Sequence, residues 1–320
     1  MPTGLSAVDA ADLVTRYLGE GTRFAVPAAQ PSETADVVLR SSGSSAAAKS
    51  IGHTFAAIEW AANAGLRALG AGRWRWLLLL SPVSAGGLMV LARSAWPPLV
   101  WPGIGSRFEA ADVARWYPGG ADATSLVSTQ LARLLEVPEG VRMLASMQAV
   151  LVGGGPLSDA LRERCGSLDI PVVSTYGATE TLGGCVYDGR PWPGVDVRLV
   201  HDEIHLDGPN LSAGYVPGPA IDRPWPTGDL GRWRDGRLEV TGRADAQVPV
   251  KGVNRHLREY ELDALARPGV VEAVAVAVPD DADGYRVVVF VEDDVQRLPR
   301  LETGKPDRQE LLRRASGQRR

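Results

Sequence analysis

Two cysteines in 320 residues are too few for a disulfide framework, and the spacing of Cys165 and Cys185 matches no metal-ligand pattern. That usage fits a reducing cytoplasm. An excess of positive charge is also missing: 34 Lys and Arg face 38 Asp and Glu, a net charge of −4. Nucleic acids are held by clustered cations, so this balance argues against a nucleic-acid partner, and the Arg-rich tail after Arg297 reads as a solvated end. Long apolar runs are absent too. Runs such as Trp76 to Leu80 fall far short of the ~20 residues that span a bilayer. The N-terminus has no basic segment followed by an apolar core, so no signal peptide is expected. What remains is the composition of a soluble globular protein, 45% hydrophobic and 22% charged, with length enough for about two domains.

Apolar spacing predicts a helix over Val8 to Leu18, a short strand at Val37-Val38-Leu39, and a helix whose buried face is Phe55, Ile58, Ala62, Leu66 and Leu69. Strands follow at Trp76 to Leu80, Thr124 to Val127, Ala149 to Val152 and Ile170 to Val173. Between them lie helices at Ser81 to Arg93, Gln130 to Leu135 and Leu157 to Cys165. This alternation implies βαβ units and a mostly parallel sheet. Beyond Glu180 the runs Val195 to Leu199 and Glu203 to Leu206 alternate apolar and polar residues, as antiparallel strands do. From Asp245 a helix at Leu257 to Leu265, β-rich runs at Val270 to Val278 and Val287 to Val291, and a terminal helix from Leu311 make a unit of small-domain size. The expected class is α/β. A large N-terminal domain (1–244) has mostly parallel sheets and a β-rich subdomain, and a small α+β domain (245–320) follows.

Several stretches carry chemistry. Tyr176-Gly177-Ala178-Thr179-Glu180 follows a strand, where open α/β sheets bind ligands. Tyr176 can stack on a base, Thr179 can bond a phosphate oxygen, and Glu180 can hold a hard divalent cation, although a plain turn uses the same residues. The loop Ser41 to Ser50, with Ser42, Gly43, Ser44, Ser45 and Lys49, can wrap a polyphosphate or serve as a Ser/Ala linker; it lacks the Walker spacing. Gly153-Gly154-Gly155 lets a planar ring lie against bare backbone, or makes a tight turn. Arg93, at the end of an apolar helix, can bind a substrate carboxylate or serve the helix dipole. Asp229 can accept both hydroxyls of a ribose and Arg243 can reach the same sugar or a phosphate, while both also suit ordinary turns. Lys305 sits on a loop bounded by Gly304 and Pro306, either solvated or swung into a cleft.

Together and in order, SSGSSAAAK, YGATE, GPNLSAGY, WPTGDLGRW, GRADAQV and LPRLETGK resemble the acyl-adenylate-forming superfamily. They cover residues 41 to 305. GGGPLS, STYGATETLGGCVYDG and the short N-terminal region are most similar to the o-succinylbenzoate-CoA ligases of actinobacterial menaquinone biosynthesis. The resemblance implies ATP, Mg²⁺ and CoA: a carboxylate attacks ATP to give an acyl-adenylate, and the CoA thiol then attacks that anhydride. It assigns Ser42, Gly43, Ser44, Ser45 and Lys49 to the β- and γ-phosphates, and Gly154, Gly155 and Tyr176 to adenine. Thr179 falls to the α-phosphate, Glu180 to Mg²⁺, Asp229 and Arg243 to ribose, Asp245 to the hinge of the mobile small domain, and Lys305 to catalysis. On rotation the Lys305 face is to give way to Lys251-Gly252. Arg93 would meet the second carboxylate of the acid, with Ser84 and Thr129, beside Ser128 and Gln130, in the substrate pocket. The chain departs from the family at Ala46 (usually Gly), Ala48 (usually Pro) and Ser84 (usually a gating His), and lacks the usual proline before the Glu259 region. Those departures leave room for a slow adenylating enzyme, another acyl- or aryl-CoA ligase, or a nucleotide-binding pseudoenzyme. A homodimer is the default assembly.

Overall fold

The computed structural model describes residues 35–40, 49–250, 253–280, 284–293, 296–300 and 306–317; the helix predicted over Val8 to Leu18 lies outside them. The described residues form two units. One comprises 35–40, 49–197 and 206–225, the other 198–205 and the chain from 226 onward.

In the first unit β1 (Val37–Arg40) pairs antiparallel with β2 (Ser50–His53). Helix α1 (Phe55–Ala68) follows at once because Thr54 caps it, its hydroxyl accepting from Ala57 N at 3.1 Å. It buries Ala57, Ile58, Ala61, Ala62, Ala64 and Gly65; of the expected face Ile58 and Ala62 are buried, whereas Phe55, Leu66 and Leu69 are only partly covered. Next come β3 (Trp76–Leu78), α2 (Ala85–Arg93), β4 (Leu99–Val100), α3 (Ala110–Trp116), β5 (Ala123–Val127), α4 (Ser128–Leu135), α5 (Pro138–Ala145), β6 (Ala149–Gly153), α6 (Asp159–Ser167) and β7 (Val172–Ala178). β4-β3-β5-β6-β7 are parallel neighbours, as strand-helix alternation requires. Leu77, Leu126, Leu131, Leu134, Leu144, Val150 and Val152 fill the core on one face of this sheet.

The sheet then reverses direction: β8 (Gly183–Tyr187) runs antiparallel to β7, and β9 (Arg190–Pro191) antiparallel to β8. A four-residue connection cannot hold a crossover helix. It turns instead through a 3₁₀ segment, Thr179–Thr181, with Leu182 (φ 58°) and Gly183 (φ 84°) left-handed. Gly177 makes the return possible, since a methyl group there would stand 2.0 Å from Gly183 O.

Two hairpins continue the chain. β10 (Asp196–Val200) and β11 (Glu203–Asp207) are joined by His201 (φ 50°) and Asp202 (φ 66°), the left-handed pair of a tight hairpin turn. After β12 (Gly214–Tyr215), which pairs with β2, strands β13 (Trp225–Arg234) and β14 (Arg237–Arg243) meet through Asp235 (φ 49°) and Gly236 (φ 71°). The sheet order is β10-β11-β13-β14.

The remaining chain forms the sheet β16-β15-β18-β17, from β15 (Gln247–Val250), β16 (Val253–His256), β17 (Glu272–Asp280) and β18 (Gly284–Glu292). Helices α7 (Leu257–Leu265) and α8 (Arg308–Gly317) pack against β17. α8 starts three residues before the expected Leu311, which is its buried anchor. Glu292 is fully buried and accepts from Leu298 N at 3.0 Å, Arg300 Nη2 at 2.7 Å and Arg297 Nη1 at 3.2 Å. Burial of a carboxylate is tolerated because its oxygens are shared among these donors. No described helix is long and apolar enough to cross a membrane, and both cysteines are buried free thiols.

Candidate active site

At the end of β7 three successive carbonyls are each anchored from elsewhere. Thr179 O accepts from Leu182 N at 3.1 Å and lies 2.9 Å from His53 Nε2; Glu180 O accepts from Ser212 N at 2.8 Å; Thr181 O accepts from Asn210 Nδ2 at 3.1 Å. His53 is fully buried, and burial pushes its imidazole down to about 4, so the ring is neutral at pH 7. A carbonyl can only accept, so Nε2 carries the proton and Nδ1 has no partner among the described residues.

Glu180 is 8% exposed. The Tyr215 phenol bonds to it, and burial together with the Glu180 charge pushes that phenol up, so it is the donor. Lys49 Nζ lies 5.1 Å from the centre of the Tyr215 ring. This grouping follows from β2 pairing with β12, which sets Tyr215 against Ile51, two residues from Lys49. Mg²⁺ takes one or two carboxylates and fills its remaining positions with water and substrate phosphate. The buried Glu180 carboxylate fits that demand, and the described residues contain no group of three His, Cys, Asp or Glu that would cage a metal.

Gly154 is left-handed (φ 78°), and a methyl at Gly155 would meet nothing within 4 Å, so this turn presents open backbone. Tyr176 is half-buried on β7 opposite Val186. Ser84 caps α2, accepting from Gly87 N at 3.1 Å and donating to Ser81 O at 2.6 Å. Thr129 is buried in the first turn of α4, while Gln130 Oε1 accepts from Val127 N at 3.1 Å and Ser128 Oγ donates to Pro156 O at 2.8 Å.

Arg93 ends α2 and is 5% exposed. Its Cζ lies 5.8 Å from the Trp76 ring centre and 5.6 Å from that of Trp192. It has no hydrogen bond or ion pair among the described residues, and its Nε is buried without a partner. Gly65 makes the space, since a methyl group there would stand 2.9 Å from that nitrogen.

In the second unit Asp229 and Arg243 face each other across β13 and β14, with Arg243 Nη1 donating to Asp229 Oδ1 at 3.1 Å. Thr227 Oγ1 accepts from Asp229 N at 3.0 Å and donates to Ile204 O at 2.8 Å. The two residues expected at one sugar are thus brought together. Ser42, Gly43, Ser44, Ser45, Ala46, Ala48, Lys251, Gly252 and Lys305 lie outside the described residues, as does the side chain of Asp245.

Sequence reasoning passed over Tyr215, His53, Asn210 and Ser212. Three of these four sit in GPNLSAGY, so the signal was the segment itself.

No family profile matches the chain. It is 33% identical to the probable 2-succinylbenzoate-CoA ligase of Mycobacterium tuberculosis H37Rv, over 88% of this chain and 85% of that protein. It is 29% identical to the 2-succinylbenzoate-CoA ligase of Escherichia coli K12, over 83% of this chain and 60% of that one. Among solved structures it superposes on the o-succinylbenzoate CoA synthetase of Bacillus subtilis bound to its acyl-adenylate intermediate, with a TM-score of 0.70 and 25% identity, over 86% of this chain and 68% of that one.

Proposed function

The chain belongs to the 2-succinylbenzoate-CoA ligase family of acyl-adenylate-forming enzymes, and we propose that it joins 2-succinylbenzoate to CoA at the expense of ATP, a step of menaquinone biosynthesis. The observation that carries this reading is the buried Glu180 carboxylate, joined through Tyr215 to Lys49 at the end of a parallel strand. A carboxylate and an ammonium so placed suit a metal-bound triphosphate. Composition adds support. Only three of the 34 Lys and Arg are lysine, namely Lys49, Lys251 and Lys305, and each falls in a segment to which a role is assigned. A point charge with three donors differs from a guanidinium fork, so this placement suits phosphate work.

In this mechanism Lys49 and the Ser42 to Ser45 loop hold the β- and γ-phosphates, Gly154, Gly155 and Tyr176 receive adenine, and Asp229 and Arg243 take the ribose. Thr179 contacts the α-phosphate. Glu180 would hold Mg²⁺, which when bound offsets negative charge on the phosphates. The carboxylate oxygen of the acid attacks the α-phosphorus and pyrophosphate departs. Lys305 neutralises the charge that gathers there. Arg93 pairs with the second carboxylate of the acid, and Ser84 and Thr129 line the acid's path. The functional domains are 1–244 and 245–320, with Asp245 as the hinge that exchanges Lys305 for Lys251 when the CoA thiol attacks the adenylate. A cytoplasmic homodimer is the form we propose. The test is pyrophosphate release from ATP and Mg²⁺ with 2-succinylbenzoate, benzoate or a fatty acid, with and without CoA. Release specific to 2-succinylbenzoate with a CoA-thioester product is expected; nucleotide binding without release on any acid would overturn the ligase.

A further inference from the structure

The surroundings of Arg93 contain more unmatched donors than one guanidinium. Tyr187 Oη, Trp192 Nε1 and Trp76 Nε1 are, like Arg93 Nε, buried and without a hydrogen-bond partner among the described residues. The side chains form one cluster. The rings of Tyr187 and Trp192 meet edge to face with centres 5.2 Å apart, Trp60 stands 6.5 Å beyond Trp192, and Arg93 lies against Trp76 and Trp192. Tyr187 is 7% exposed, Trp192 1% and Trp76 fully buried.

Native cores leave few buried donors unmatched, and a buried charge normally has a counter-charge. Here a cation, two indole N–H groups and a phenol gather with no carboxylate or carbonyl partner among the described residues. Their complement is a group that only accepts and carries negative charge, which describes a carboxylate. The Tyr187 phenol can act only as a donor to such a group, because burial pushes it up and outweighs the opposing field of Arg93. Gly65 leaves the guanidinium its place, since a methyl group there would stand 2.9 Å from Arg93 Nε.

We propose that Tyr187 is a specificity-determining residue which, beside Arg93, binds the distal carboxylate of an aromatic diacid, with Trp192 as the wall of that subsite. The proposal rests on the diacid ligase reading above. Buried water is the other occupant such donors accept, and it predicts no link between Tyr187 and substrate choice.

The experiment compares Tyr187→Phe, which removes only the hydroxyl, with the unaltered protein. kcat/KM is measured for 2-succinylbenzoate and for its ester methylated at the ring carboxylate, which leaves the aliphatic carboxylate free to react, and tryptophan emission is titrated with the diacid in the absence of ATP. The preference for diacid over ester should fall tenfold or more, chiefly through KM, and the emission change should saturate at correspondingly higher diacid. A preference held within twofold and an unmoved titration would overturn the proposal. Trp192→Phe is the second variant; it should diminish the emission change and lower the same preference, and retention of both counts against the subsite. If no acid is ligated while the diacid titration still depends on Tyr187, the ligase reading fails and the carboxylate subsite stands. Ligation of the diacid with an unchanged preference in both variants gives the reverse.

Discussion

Around Glu180 three consecutive carbonyls are held by donors from two other segments, His53 and the Asn210–Ser212 stretch, whereas around Arg93 four buried donors find no acceptor in the described protein. Both regions lie in the same unit, and Glu180 and Arg93 are both buried. The difference lies in when each is completed. The Glu180 corner is organised by the chain before any substrate arrives, which suits a group that must meet charge in a fixed place. The Arg93 niche holds an interaction in reserve, at a cost to the unliganded protein. On the roles proposed for them, pre-organisation belongs to chemistry common to all substrates, and incompleteness to the choice among them.

The largest effect should come from breaking the organised corner. Glu180→Gln keeps the size of the side chain and removes its charge, and pyrophosphate release should fall 100-fold or more, roughly 3 kcal/mol of barrier. Since the turn is held by backbone bonds, its thermal midpoint should stay within a few degrees of the unaltered protein, as a melting curve would show. Nearly as large is the response of that corner to acid. His53 titrates at about 4 folded and 6.5 unfolded, so the unfolded chain binds the extra proton between those values. Stability is fully present above pH 6.5 and falls by roughly 3 kcal/mol as pH drops to 4. Urea unfolding at pH 7 and 4.5 measures it, and His53→Gln, which cannot titrate, should lose most of this slope.

The niche should answer in the opposite sense. Arg93→Met removes a buried unpaired cation and fills its space, so stability should rise by about 1 kcal/mol or more while kcat/KM for the diacid falls roughly tenfold to 100-fold. A loss of both stability and activity would place Arg93 with the organised region and erase the contrast. The smallest effect is expected from Tyr215→Phe. Losing one hydrogen bond to Glu180 should cost about 1 kcal/mol, seen as a several-fold higher KM for ATP at limiting Mg²⁺.

Much of this was legible in the sequence. The α7 boundaries at Leu257–Leu265, the alternation of β5, α4 and β6, and the place of Glu180 just past a strand all follow from local periodicity. The reversal between β7 and β8 did not, because it depends on how closely Gly177 and Gly183 O approach in space. Helix α3, at seven residues, is too short to show a clear period. Within the site, Arg93 was legible as a cation ending an apolar helix, but its surroundings were not: Trp76, Tyr187 and Trp192 come from three separate stretches. Tyr215 escaped notice for the same reason, since its approach to Glu180 and Lys49 exists only once β12 has paired with β2.

The ammonium of Lys49 resting over the Tyr215 ring has a practical consequence in a chain so poor in lysine. Amine-acylating reagents usually decorate a protein's whole surface, but here three side chains and the N-terminal amine are all they can reach. Peptide mapping after brief acylation therefore becomes a footprint of the proposed nucleotide site, and ATP should shield Lys49 in proportion to its occupancy.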